Sequence, residues 1–174
     1  MMLINAENNG SSDSEPIEPA RRILLVGGGL ALLWGLAGCG SLPTGNGAGA
    51  STAASGLVAG IRSTNGLGSL SPDSQLERAA LQQAFYMAQA GRMVHTTGWG
   101  RDFSSRVKDN NIKGAAAENI AEGRMDLQRL FDMWMHSAPH RRNLLDPRFT
   151  RFGLAYASDG KNPEWRYWAL VLGK

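Results

Sequence analysis

Hydrophobic spacing changes its period near Pro147, and that change constrains the fold more than any other feature of the chain. Upstream, "DLQRLFDMWMHSA" carries Leu127, Leu130, Phe131 and Trp134 at helical spacing. Downstream, "RFGLAYAS" alternates, with Phe152, Leu154 and Tyr156 on one side. The turn-rich "DGKNPE" then leads into "WRYWALVLG", a second strand. The pattern predicts an antiparallel hairpin late in the chain. Helices first and paired strands last make the class α+β.

Two further helices are marked by their ends. In "SPDSQLERAALQQAFYMAQAG", Ser71 is placed to cap, Pro72 suits the first helical position, and Asp73 and Glu77 complement the dipole. Leu76, Ala80, Ala84 and Met87 share a face, and Gly91 ends the run. "RDFSSRVKDNN" reads as a short helix opened by Asp102, and Asp126 caps the next one. Pro139 is expected to stop that helix, because proline removes a donor and disfavours helix in the residue before it. His136 and His140 therefore should not share one helical face.

The first 56 residues have a different texture. Residues 1–20 are polar and acidic without periodicity, the composition of a disordered extension. Residues 21–38 read as a signal peptide: Arg21 and Arg22 precede an apolar run, Ile23 to Leu36, shorter than the roughly 20 residues of a membrane span. "LAGC" closes the run and resembles a bacterial lipobox, which implies acylation of Cys39 and anchoring in a membrane. Cys39 is the only cysteine, so no intramolecular disulfide forms and an unpaired thiol needs another role. Gly40 rather than aspartate after it favours the outer membrane in a Gram-negative cell, by resemblance to lipoprotein sorting. The Gly-, Ala- and Ser-rich stretch through residue 56 reads as a flexible tether, so that 39–56 joins the anchor to a domain spanning 57–174.

From Cys39 onward there are 16 basic and 11 acidic residues, an excess of +5 that suits a place beside anionic lipid or wall polymer. No basic run is interleaved with aromatics, which argues against nucleic acid. The remaining polar residues of interest are His95 in "MVHTTGWG", Glu118 in "AAAENIAEG", and Ser137 and His140 in "HSAPHRRN". Spacing alone assigns them no chemistry. There is no HExxH, CxxC or GxSxG.

Their order and setting resemble one family closely. "ENIAEG", "WMHSAPHRRNLL" and "RFGLAYA" followed by "YWALVLG" are similar to bacterial members of the CAP superfamily, also called the SCP domain. The superfamily groups cysteine-rich secretory, antigen 5 and pathogenesis-related 1 proteins. The likeness is carried by Glu118 to Ala121, then Trp134, Met135, Ser137, His140, Arg141, Asn143 and Leu145, then Phe152, Gly153, Tyr167 and Trp168. It implies a three-layer α-β-α sandwich with a small antiparallel sheet. It also implies a cleft of two histidines and two acids that binds a divalent ion such as zinc in some members. Carried over, His95, Glu118 and His140 are three of the four, and Ser137 stands where the second acid would be. That leaves at most three metal ligands, an open coordination set.

For function, these residues support one leading expectation and two rivals. The leading one is a monomeric, exported, lipid-anchored binding module that holds a lipid, sterol-like molecule or cell-wall fragment in a cleft of His95, Glu118, Asn119, Ser137 and His140. An enzyme is the second: Ser137 as nucleophile with His140 as base and Glu118 as its orienting acid, or metal-assisted hydrolysis. The third is a non-catalytic envelope scaffold. His136 matches no ligand position and reads as a surface residue complementing the helix dipole.

Overall fold

The computed structural model describes residues 46–174. The readings of residues 1–20, of the signal peptide at 21–38 and of acylation at Cys39 lie outside the described residues. The expected hairpin is present: β4 (Arg151–Ser158) and β5 (Arg166–Gly173) pair antiparallel, Leu154 opposite Leu170 and Ala157 opposite Tyr167. On the far side of β5 lies β3 (Ala116–Gly123), also antiparallel, with Glu118 opposite Val171. On the far side of β4 lie β1 (Asn46–Gly49), antiparallel, and the two-residue β2 (Ser71–Pro72), parallel. The main sheet order is β1-β4-β5-β3, which leaves β3 as an edge strand.

Both faces of this sheet are covered. Strand alternation sends Phe152, Leu154, Trp168, Leu170, Leu172 and Ala121 to one side. There they pack with α1 (Ser51–Thr64), α4 (Leu127–His136) and α5 (Ala138–Leu144), through Ala54, Val58, Leu130, Phe131, Trp134 and Leu144. Ala155, Ala157, Tyr167, Ala169, Val171 and Ile120 go to the other side. They meet α2 (Ser74–Ala90) through Leu76, Ala80, Ala84 and Met87, and α3 (Phe103–Asp109) through Phe103 and Val107. The result is an α-β-α sandwich.

Small residues set how closely these layers approach. A Cβ on Gly153 would run into the backbone of Leu76 and Glu77, so the first turn of α2 lies directly on β4. Asp73 fixes that turn: its carboxylate caps the helix at the amides of Gln75 and Leu76, and its own amide donates to Phe152 O at 2.9 Å. The cap is thus Asp73 rather than Ser71, because Ser71 and Pro72 are drawn into pairing with β4. Gly91 ends α2 in the left-handed conformation, φ 62°.

The stretch expected to be a tether is folded from Asn46 onward. Its small residues serve packing. Side chains on Gly47 and Gly49 would strike Tyr156 O and the Glu77 carboxylate, and Ser51 bonds β4 through Leu154 N and the Glu77 carboxylate through its own amide. α1 follows despite Gly56 and Gly60, held by Ala54, Val58 and the buried Arg62. The Arg62 guanidinium donates to the carbonyls of Gly68, Leu144, Asp146 and Phe149, tying α1 to the turn between α5 and β4. The helix break near His136 also differs in detail. It falls at Ser137, whose backbone is extended, and Pro139 sits in the first turn of α5, opening a second helix instead of only ending the first.

Two alanine substitutions should separate packing from flexibility. Gly153→Ala is expected to cost about 3 kcal/mol or more by forcing α2 off the sheet. Gly56→Ala, in open space on α1, should add roughly 0.5–1 kcal/mol. Urea unfolding midpoints of the two variants decide it, and a neutral Gly153→Ala would disprove the close contact.

Candidate functional site

Strand alternation at β3 separates two neighbouring polar residues. Glu118 points with Ile120 toward α3, and Asn119 points with Ala121 toward α5. Since β3 is an edge strand, polar groups from the two helical layers can meet around it. Glu118 is 7 % exposed and would be a costly buried charge if left alone. It is not alone. Arg106 Nη2 donates to both carboxylate oxygens, at 2.8 and 2.7 Å, and the guanidinium is itself buried. His95 Nδ1 lies 2.9 Å from Oε1, and its ring is largely exposed. A carboxylate can only accept, so His95 carries its proton on Nδ1.

Arg106 also holds the loop that presents His95. It donates to Arg101 O at 2.9 Å and to His95 O at 3.4 Å, while Gln83 from α2 donates to Val94 O at 2.6 Å. Arg106 was missed by sequence reading, yet a signal exists. It recurs with Phe103 and Val107 on the buried stripe of α3, and a charge in an apolar stripe calls for a buried partner.

On the other face, Asn119 is completely buried and both ends of its amide are used. It donates to His140 O at 3.1 Å and accepts from Asn143 at 2.9 Å. It clamps α5 onto β3 and does not line an open cleft as expected. Trp134 adds a second clamp, its indole donating to Ile120 O at 3.2 Å. These contacts seat His140 half-buried at the start of α5, its ring tilted against Trp134 with centroids 6.4 Å apart. His140 Nδ1 is 2.9 Å from Ser137 Oγ. Burial, and after it the charge of His95, holds the His140 imidazole below its ordinary value. The two histidines are thus within electrostatic reach of each other, His95 from the loop before α3 and His140 from the first turn of α5.

Two expectations change. The metal set of His95, Glu118 and His140 does not assemble: among the described residues no three His, Cys, Asp or Glu side chains are grouped to hold an ion. The physical reason is Arg106, whose positive charge already occupies both Glu118 oxygens and would repel a cation. The triad also fails at its third member. Ser137 and His140 are hydrogen-bonded, but Glu118 is bonded to His95 and Arg106, not to His140. His136 is an exposed residue at the end of α4, with Nδ1 2.7 Å from Asp132 O, and takes no part.

Known proteins share this outline. The chain is 30% identical over 100 residues to the uncharacterized protein YkwD of Bacillus subtilis, covering 57% of this chain but only 39% of that one. Among solved structures, an outer surface protein of Borrelia burgdorferi superposes with a TM-score of 0.64 at 19% identity, over 75% of this chain and 98% of the other. An SCP-domain extracellular protein of Bacillus anthracis superposes with a TM-score of 0.62 at 22% identity, over 71% of this chain and 39% of the other. The model of the cysteine-rich secretory protein family, CAP, matches residues 56–172. The chain belongs to the CAP family.

Proposed function

We propose that this is an exported CAP domain, anchored through a lipid on Cys39, that binds a hydroxyl- or phosphate-bearing ligand at the β3 edge. The ligand is either a lipid head group or a cell-wall sugar. Export is supported by the leader-like residues 21–38 and by the names of the structural relatives, one an outer surface protein and one extracellular. The observation that carries the binding site is the buried Arg106–Glu118 pair beneath an exposed His95. Ion pairs out of water are expensive and need not stabilise a fold. Here the pair holds one surface imidazole at a set angle, opposite a second imidazole whose neutral form is favoured. Each ring spends Nδ1 on a protein partner, so each has Nε2 to offer a ligand.

A second reading is supported by one contact. Ser137 Oγ and His140 Nδ1 at 2.9 Å make a nucleophile–base pair without an orienting acid. Under that reading Ser137→Ala abolishes turnover of an activated ester, whereas under the binding reading no turnover exists to lose.

Native mass spectrometry of the full chain purified from the cell envelope tests the main proposal. A bound mass is expected in the wild type and absent in His95→Gln, with melting temperature nearly unchanged, because Arg106 still satisfies both Glu118 oxygens. Glu118→Gln should instead destabilise by about 3–5 kcal/mol, since it leaves a buried guanidinium unpaired. A bare wild type, or a bound mass retained by His95→Gln, refutes the site.

The depressed His140 value predicts a pH dependence of stability. The unfolded chain takes up that proton more readily than the fold does. The contribution is therefore complete above the ordinary histidine value of about 6.5 and is lost as pH falls below it. From about pH 7.5 to 5 the melting temperature of the wild type should fall more than that of His140→Gln. Parallel curves would show that His140 is not held neutral.

A further inference from the structure

An open groove of about 600 Å³ lies along the outer face of α5 and the turn after it. Leu145 and Pro147 are among its floor residues, and Arg141, Arg142 and Arg148 line it with Asp146 as its one acid. The arginines are not merely numerous. Asp146 grips Arg148 through Nε and Nη2, leaving Nη1 available. Asn65 accepts from Arg141 Nη2, leaving Nη1 and Nε. Arg142 has no side-chain partner among the described residues. Directly beneath, the buried Arg62 bonds the carbonyls of Leu144 and Asp146 and adds a fourth positive charge against the single carboxylate. Arg141 and Arg148, each held by a protein oxygen, and Arg142 beside them present spare forked donors, which are suited to phosphate oxygens.

We propose that this groove binds a phosphate-bearing anionic polymer of the cell envelope, separately from the histidine pair. The shape of the groove argues for a polymer over a bilayer: Arg141, Arg142 and Arg148 line one concavity of about 600 Å³. Successive phosphates of a chain can meet all three guanidiniums there, whereas a flat bilayer surface meets a concave lining only at its rim.

Residues 40–174 serve for the test, since every described strand and helix of the sandwich lies between Asn46 and Gly173. Without Cys39 the measurement does not depend on the anchor. Inorganic polyphosphate is the probe, with phosphatidylglycerol vesicles as the rival. Polyphosphate should bind in a salt-sensitive manner, weakened roughly fivefold by Arg142→Gln and about thirtyfold by Arg141→Gln with Arg142→Gln. Arg124→Gln with Arg129→Gln, which removes the same charge elsewhere, should leave binding within about twofold of wild type. Absence of polyphosphate binding overturns the proposal. So does equal loss in both double variants, which would mean net charge alone. Vesicle binding through Arg141 and Arg142 without polyphosphate binding would assign the groove to a membrane surface and overturn it as well.

Discussion

The seat of α2 on β4 at Gly153 is the contact on which the rest of the architecture depends. Backbone rests on backbone there, so the helix can bury Leu76, Ala80, Ala84 and Met87 against Ala155, Ala157, Ala169 and Val171 with little room between the layers. The opposing face takes the bulk instead, with Trp134, Phe131, Phe152 and Trp168 in one cluster. This asymmetry of small against large side chains comes from a single sheet serving two cores. β3 lies at one edge of that sheet, where groups from both helical layers can reach each other without crossing it.

At that edge the cost of charge burial is met by mutual pairing. Arg106 and Glu118 are both almost fully buried and pair with each other, while Arg106 Nη1 and Nη2 also donate to loop carbonyls and Nε is left without a partner. The arrangement is not needed to fill space, since an apolar pair of similar volume would serve packing as well or better. What an apolar pair could not do is fix the Nδ1 proton of His95 and the course of its loop. Fold energetics and site geometry are therefore coupled through one guanidinium, which explains how a histidine on an exposed loop can hold a defined position.

Much of this was readable from the residues. Asp102 and Asp126 cap their helices as the spacing implied, and the alternation of 151–158 and 166–173 produced the hairpin. Other features were hidden by composition. Residues 46–56 look like a linker because Gly, Ala and Ser are what linkers use, yet the same residues are what a strand needs when a helix crosses it at contact distance. β3 escaped notice because an edge strand carrying Glu118 and Asn119 on opposite faces lacks a clean alternation of apolar and polar. Family likeness marked His95, Glu118 and His140 but not the residues that position them. Arg106 and the Asn119–Asn143 clamp come from distant parts of the chain, and only packing shows that their polar ends are spent internally.

The charges of the site are settled below its surface. One carboxylate is matched by one guanidinium there, and His140 is biased toward its neutral form. What the site exposes is imidazole nitrogen and hydroxyl, with Ser137 Oγ beside His140. A divalent ion would find no uncommitted carboxylate there, since Arg106 engages Glu118, and Ser137, where the family resemblance places a second acid, brings a neutral hydroxyl. Hydroxyl groups face no such obstacle, since imidazole nitrogens and a serine can each donate or accept. With Ser137 where the family resemblance places a second acid, and Glu118 engaged by Arg106, what these groups offer is hydrogen bonding rather than coordination of an ion.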